Sequence, residues 1–301
     1  MKPLMHVVLA ATLLAFAAGS ALAADEQPAV PDKAPKPTAD ELKQIKSLLD
    51  VIRWTNLDQW KYFSEHTIPC DAGEELYRMG PVVVPFILSA VQNDDLYLSG
   101  NRVYLICLLG RMGGEQIFNV TPALCKLLET WVIAGRQARS SYIEERSERG
   151  LTSYPRSVLP RAAARALALA ADPASVPLLI KMMNNLRQAG DKNYTDRRYS
   201  ASNRFALDVM RDVAAALAAI DDDTARKFLE KCVISPSPSL RLCANLAKAS
   251  AMLIEDRKAT EDYLRNQCPG ERYAKIIDEY NRFIMEKCRT IEDRIRESEG
   301  R

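Results

Sequence analysis

The chain has 301 residues, of which 48% are hydrophobic and 27% are charged, and its formal net charge is +2. This balance is typical of a globular protein and excludes wholesale disorder. The small net charge argues against a general nucleic-acid binder, which would be strongly basic. The sequence has 2 histidines, His6 and His66. His6 lies in a segment that we expect to be removed, which excludes zinc sites that need two histidines.

The first residues have the three parts of a secretory signal peptide. Lys2 supplies a positive charge, residues 4–18 form an apolar stretch, and Ala21-Leu22-Ala23 is a small-x-small cleavage site. The apolar stretch is short for a membrane-spanning helix, which needs about 20 residues. We therefore expect removal of residues 1–23 and a periplasmic or secreted protein with no transmembrane segment after cleavage.

A proline-rich linker is predicted over residues 24–38. It has mixed charges, no large apolar run and four prolines, at positions 28, 31, 35 and 37. The linker ends at Thr38-Ala39-Asp40-Glu41, a capping box that predicts the start of the first helix.

Helices dominate the rest of the chain, because apolar residues recur there at helical spacing. We find no convincing strand pattern and no Asn-Gly or Asp-Gly hairpin turn. A capping residue followed by proline marks the helix starts at Thr121-Pro122, Asp172-Pro173 and Ser237-Pro238. We assign the acidic run at 221–223 to helix capping rather than to a metal site. The predicted helices are 39–53, 81–93, 98–112, 121–137, 158–171, 174–188, 204–220, 223–234, 238–254, 257–267 and 270–297.

Two segments of the chain match each other. Residues 163–183 read AARALALAADPASVPLLIKMM, and residues 213–233 read VAAALAAIDDDTARKFLEKCV. A third copy of this pattern begins at Arg102, and in it Leu109 corresponds to Leu167. One helical pair cannot bury its own apolar face, so repeated pairs favour an α-solenoid. The predicted fold is all-α, with about five helical hairpins over residues 39–301 and a long C-terminal helix.

With these segments the chain resembles HEAT-repeat proteins of the phycobilin-lyase-like kind. Their pattern is an arginine, alanines, Leu-Gly, a short acidic turn and an apolar helix that begins with Val-Pro. The matching positions are Arg102, Leu109-Gly110, Val84-Pro85 and Val176-Pro177. The resemblance covers about 79–255, although Pro160 and Met210 stand where the pattern has its arginine. It implies an α-solenoid, while function has to be argued from sites.

Two insertions, about 138–157 and 189–203, separate the first and second helices of their repeats, so we expect both at one edge of the solenoid. Residues 136–161 hold six arginines against three glutamates, and residues 187–204 hold five basic against two acidic residues. Tyrosines lie between them, and Arg and Tyr are enriched at binding interfaces. We call the predicted binding residues the basic rim: Arg139, Tyr142, Arg146, Arg149, Tyr154, Arg156, Tyr194, Arg197, Arg198 and Tyr199.

The sequence has 7 cysteines, and export would permit disulfides. Cys243 and Cys268 lie nearly equidistant from a predicted turn near Asp256, and Cys107 and Cys125 flank another turn. We predict at least one disulfide, with Cys243–Cys268 slightly ahead of Cys107–Cys125. The alternative is that these thiols are small buried hydrophobic side chains.

The resulting hypothesis is an exported, non-catalytic scaffold that binds an unidentified protein partner. The alternative is a module that binds an acidic envelope polysaccharide through the basic rim. A dependence on salt would distinguish them, because polymer binding through arginines should weaken steeply with ionic strength. No nucleic-acid partner, catalytic residue, cofactor or metal is predicted. The enzymatic alternative is a hydrolase with an unrecognised pair of carboxylates.

Overall fold

The computed structural model describes residues 35–54, 71–115, 117–138, 142–147, 150–195 and 201–253. Helices dominate these residues, which confirms the all-α class. The predicted signal peptide and the two predicted C-terminal helices lie outside the described residues.

The helices of the described ranges lie close to their predicted bounds. They are α1 (Ala39–Trp54), α2 (Asp71–Arg78), α3 (Val84–Gln92), α4 (Ser99–Gly114), α5 (Thr121–Gln137), α6 (Val158–Ala170), α7 (Val176–Thr195), α8 (Ala201–Ala219), α9 (Asp223–Val233) and α10 (Pro238–Leu253). Short 3-10 turns at Gly80–Val83 and Pro173–Ser175 lead into α3 and α7. Helix α2 was not predicted, because its 8 residues are too few to show a helical period.

The helix starts follow local hydrogen bonding. The Thr38 amide donates to the Glu41 carboxylate at 2.7 Å, and the Glu41 amide donates to the Thr38 hydroxyl oxygen at 3.2 Å. This confirms the capping box. The Thr38 amide and the Thr38 hydroxyl both donate to the Glu41 carboxylate, and these two hydrogen bonds lower the pKa of Glu41. Asp222 accepts from the Ala225 amide at 2.8 Å at the start of α9, which confirms capping by the acidic run.

One predicted cap is wrong. Thr121 is the first residue of α5 and its side chain makes no capping hydrogen bond. The side chain of Asn119 accepts from the Thr121 amide at 3.1 Å instead. The amide of Thr121 therefore finds its hydrogen-bond acceptor in a side chain two positions earlier in the sequence.

The first insertion contains strands, contrary to the prediction of none. Strands β1 (Tyr142–Ser147) and β2 (Gly150–Pro155) pair antiparallel, with Ile143 opposite Tyr154 and Ser147 opposite Gly150. Only two residues, 148–149, separate the strands in the sequence, and they are neither Asn-Gly nor Asp-Gly. β-Branched and aromatic residues favour extended backbone, which accounts for the hairpin.

The second insertion is shorter than predicted. Helix α7 continues to Thr195, and α8 already begins at Ala201. Most of the predicted loop 189–203 is therefore helix. Continuing the helix satisfies backbone groups that a loop would have to expose.

Four helices form a continuous row in which α4 packs against α6, α6 against α8, and α8 against α10. We call these four the stacked helices. Helices α5, α7 and α9 pack against α6, α8 and α10 respectively, and we call them the flanking helices. The two insertions thus fall between a flanking helix and the stacked helix that follows it.

Small residues bring the stacked helices into close contact. A Cβ atom at Gly110 of α4 would lie 2.6 Å from the Cα of Ala166 in α6, closer than real Cβ contacts allow. The neighbouring Leu109 and Leu167 are fully buried. Within the described ranges, no helix combines the length and apolar character needed to cross a membrane.

Candidate binding surface

Each stacked helix leaves a narrow stripe of side chains that are not buried. On α8, for example, Arg204, Asp208, Arg211 and Ala215 are exposed or half-buried, while the residues between them are buried. Spacings of three and four residues place such side chains on one side of a helix. We call the four stripes together the stacked-helix face. Its charged members are Arg111, Arg161, Arg165, Arg204, Asp208, Arg211, Arg241 and Lys248.

The stacked-helix face is basic. The four stacked helices contain eight basic and two acidic residues, a surplus of six positive charges, whereas the whole chain has a net charge of +2. Among the eight basic residues of the stacked helices, Arg102 is buried. Its Nε donates to the Val91 carbonyl at 2.8 Å, and its guanidinium lies 5.7 Å from the centre of the Trp131 ring. Arg102 therefore has a structural role, and the other seven cations lie on the face.

The buried carboxylate of Asp212 joins α8 to α6 at the centre of this face. It accepts from Nε of Arg161 at 2.5 Å and from Nε and one Nη of Arg165 at 3.1 and 3.0 Å. Burial by itself raises the pKa of Asp212, but the charges of Arg161 and Arg165 outweigh burial and hold this pKa below its ordinary value. Asp212 is therefore a carboxylate at neutral pH, shared by two arginines.

Asp208 occupies the next position along the same helix. Its carboxylate accepts from the Ser157 hydroxyl at 3.4 Å, and Nε of Arg204 lies 3.9 Å away. The charge of Arg211 also lowers the pKa of Asp212. Four arginines thus surround two carboxylates, so positive charge remains after these acids are paired.

No protein-family model matches the chain, and no curated protein matches it significantly. Its function therefore has to be inferred from its own charges and contacts.

Four cysteines lie in the described part of the chain, and no disulfide joins any two of them: Cys107, Cys125, Cys232 and Cys243. Burial raises the pKa of Cys107, Cys125 and Cys232 to about 11, and it raises the pKa of Cys243 as well. Because the thiolate is the nucleophilic form, these protonated thiols are poor nucleophiles.

The predicted Cys107–Cys125 disulfide is not formed. Cys107 lies within electrostatic reach of Arg165 on α6, whereas Cys125 lies near Asp172 and Glu129. The two thiols therefore have different neighbours. Cys268, the predicted partner of Cys243, lies outside the described residues, so the Cys243–Cys268 link stays a prediction.

The basic rim is only partly described. Tyr142 on β1 is 44% exposed, and Arg156, just after β2, is half-buried. The backbones of Arg146, Tyr154 and Tyr194 lie in β1, β2 and α7. The remaining rim residues lie outside the described ranges: Arg139, Arg149, Arg197, Arg198 and Tyr199. The described contacts do not bring the rim together as one site.

Within the described residues, no group of three or more His, Cys, Asp or Glu side chains is placed to hold a metal ion. The stacked-helix face was not predicted from the sequence, because the prediction of a binding surface rested on the charges of the two insertions. The signal was present as arginines four and seven residues apart within alanine-rich helices, as in Arg161 with Arg165 and Arg204 with Arg211. Such spacing places charges on the one open side of a helix that is otherwise buried.

Proposed function

We propose that the protein is an exported, non-catalytic scaffold of the HEAT-repeat type, in which stacked helical hairpins present a surface to a protein partner. The observation that carries the proposal is a recurring distance along the chain between hydrogen-bonded residues. Ser157 bonds to Asp208 and Arg161 to Asp212, in each case 51 positions apart.

Further pairs have nearly the same separation. Lys181 bonds to Glu129 across 52 positions, and Ser237 bonds to Asp191 across 46. Such recurrence is expected when hairpins of about 50 residues stack and each contacts its neighbour. The two matching segments of the sequence, 163–183 and 213–233, are also 50 positions apart. Structure and sequence thus support the same repeat length.

The chemistry of the described residues supports binding rather than catalysis. The thiols are held in their protonated form by burial, and Asp212 is committed to two arginines. The stacked-helix face carries seven cations, of which Arg111, Arg161 and Arg165 are ion-paired. Tyr142 of the basic rim is exposed. Arginine and tyrosine are the residue types that contribute most to protein interfaces.

The test is affinity capture with the mature protein, beginning at Ala24 and tagged at its C-terminus, from an envelope extract of the producing cell. We expect recovery of one protein in stoichiometric amount at physiological salt. Recovery of glycan alone would contradict the protein scaffold and support the polysaccharide alternative. Recovery of neither would overturn both.

The same capture tests the basic rim. Charge reversal of Arg149 and Arg198 to Glu should weaken binding of the partner without changing the melting temperature, since exposed charges contribute little to stability. The matched control reverses two exposed lysines of the flanking helices, Lys126 and Lys227. Equal affinity of both variants would remove the rim from the binding surface.

A further inference from the structure

The stacked-helix face has the composition of a site for a carboxylate-bearing ligand. Of its eight charged side chains, six are arginines, one is a lysine and one is an aspartate. A guanidinium can donate two parallel hydrogen bonds to one carboxylate, which an ammonium cannot do. Among the described residues, four acids contact the face: Asp212 binds Arg161 and Arg165, Glu74 and Glu115 bind Arg111, and Asp208 binds Ser157. Seven cations against these four acids leave a surplus of three positive charges.

Apolar side chains lie among these arginines. Val103 on α4, Ala168 and Leu169 on α6, and Ala215 on α8 are not buried, and Leu169 is 39% exposed. Arginine combined with apolar contact area is typical of interfaces with proteins. Binding of a hydrated polyanion would require only the charges of the face and not its apolar side chains. The mixture favours a polypeptide that carries both acidic and apolar side chains.

The row of helices also suggests the spacing of the ligand. Packed helices lie about 8–10 Å apart, and an extended polypeptide advances about 3.3 Å per residue. A chain that crosses the row therefore meets a new helix about every third residue. Each of the four helices carries at least one cation. Arg211 and Arg241 represent α8 and α10, whereas Arg111 of α4 already pairs with Glu74 and Glu115, and Arg165 of α6 already pairs with Asp212. The row matches an extended segment of about ten to twelve residues.

We propose that the stacked-helix face binds an extended acidic polypeptide segment, with carboxylates at about every third position and apolar side chains between them. This inference rests on the proposed scaffold function and specifies the chemistry of its partner.

The probe is a fluorescein-labelled peptide of about twelve residues, with Asp or Glu at every third position and Leu, Val or Ser between. Fluorescence anisotropy measures its affinity for the mature protein at physiological salt, where long-range charge effects are screened. A control peptide has the same composition with all its acids at one end. We expect the spaced peptide to bind at least tenfold more tightly than the control peptide.

Two double variants locate the site. Arg204→Glu with Lys248→Glu reverses exposed charges on the stacked-helix face, and Lys126→Glu with Lys227→Glu reverses exposed charges on flanking helices. Both change the net charge equally. We expect the first to lower peptide affinity at least tenfold and the second less than twofold, with melting curves like that of the native protein.

Three outcomes would overturn the inference. They are absence of peptide binding, equal losses in both double variants, and equally tight binding of a polyuronate that displaces the peptide. The scaffold proposal is judged separately, by capture of the partner. If the native protein captures a partner but does not bind the peptide, only the inference fails. If it binds the peptide but captures no protein, the scaffold proposal fails.

Discussion

The stacked and flanking helices are both amphipathic, but their surroundings differ sharply. In α9, a flanking helix of 11 residues, only Ala225 and Cys232 are buried. In α10, the stacked helix that follows it, residues 242–247 are buried without interruption. A helix with neighbours on three sides has to be made mostly of small and apolar residues, whereas a flanking helix needs only one apolar stripe.

Charge is also distributed differently between the two sets. The flanking helices carry eight basic and four acidic residues, and Lys181 of α7 pairs with Glu129 of α5 at 2.7 Å. The stacked helices carry as many basic residues as the flanking helices but only half as many acidic residues. Arg161 and Arg165 link α6 to α8 through Asp212, but the positive charge that remains does not help the helices to pack, since like charges repel. The comparison therefore separates residues that hold the fold together from residues available to a partner.

The largest effect should come from a charge placed within the stacked row. Leu167→Asp puts a carboxylate in a fully buried position of α6, and we expect it to lower the free energy of unfolding by about 3–5 kcal/mol. The control is the same substitution at Leu169, which is 39% exposed, and should cost less than about 1 kcal/mol. Urea denaturation measures both. Similar losses at the two positions would contradict the stacked arrangement of α6.

The next effect concerns Asp212. Asp212→Asn should cost about 2–3 kcal/mol, because it leaves Arg161 and Arg165 without their carboxylate in a largely buried position. The matched control, Glu129→Gln, breaks the exposed pair with Lys181 and should cost less than about 1 kcal/mol. Equal losses would show that Asp212 contributes no more than a surface ion pair.

Asp212 also predicts a pH dependence. Its pKa is lower in the folded state than the value of about 3.9 in an unfolded chain. Its contribution to stability is therefore present above about pH 4 and is lost as the pH falls through the folded pKa. Denaturation curves at decreasing pH should show this loss in the native protein. The Asp212→Asn variant should lack the part of this loss of stability that is due to protonation of Asp212.

A smaller effect is expected at Gly110. Glycine to alanine in the middle of a helix usually stabilises it by about 0.5–1 kcal/mol, but here we expect a loss of about 1–2 kcal/mol. The added Cβ would lie 2.6 Å from the Cα and 2.9 Å from the carbonyl oxygen of Ala166. Adding Ala166→Gly should not rescue the variant, because these backbone atoms remain. Stabilisation by Gly110→Ala would show that α4 and α6 are not in close contact.

The last prediction concerns the reactivity of the buried thiols and involves no change in stability. At pH 8 a thiol with a pKa of about 11, such as Cys232 or Cys107, should react roughly a hundredfold more slowly with a disulfide reagent than the same thiol in the unfolded chain. Cys243 should be slowest, because it lies in the deeply buried part of α10. Fast labelling of Cys243 in the folded protein would contradict that burial.

Much of the local structure followed from the sequence. The capping box at Thr38 and the cap at Asp222 depend on residues within one helical turn, so their identity is sufficient. The cap predicted at Thr121 failed because a nearby side chain, Asn119, competed for the same backbone amide. The hairpin β1–β2 was missed because no Asn-Gly or Asp-Gly turn lies between its strands, and because strand formation depends on pairing with a second segment.

The sequence by itself determined the all-α class and the positions of most helices, because helical periodicity and capping are local properties of the chain. Only the tertiary structure decided which helices form the stacked row and which side of each helix remains open. In the sequence, Arg161 and Arg165 cannot be told apart from any solvent-exposed arginine. Their place beside Asp212 depends on contacts between residues about 50 positions apart, and side-chain spacing within one helix cannot specify its neighbour.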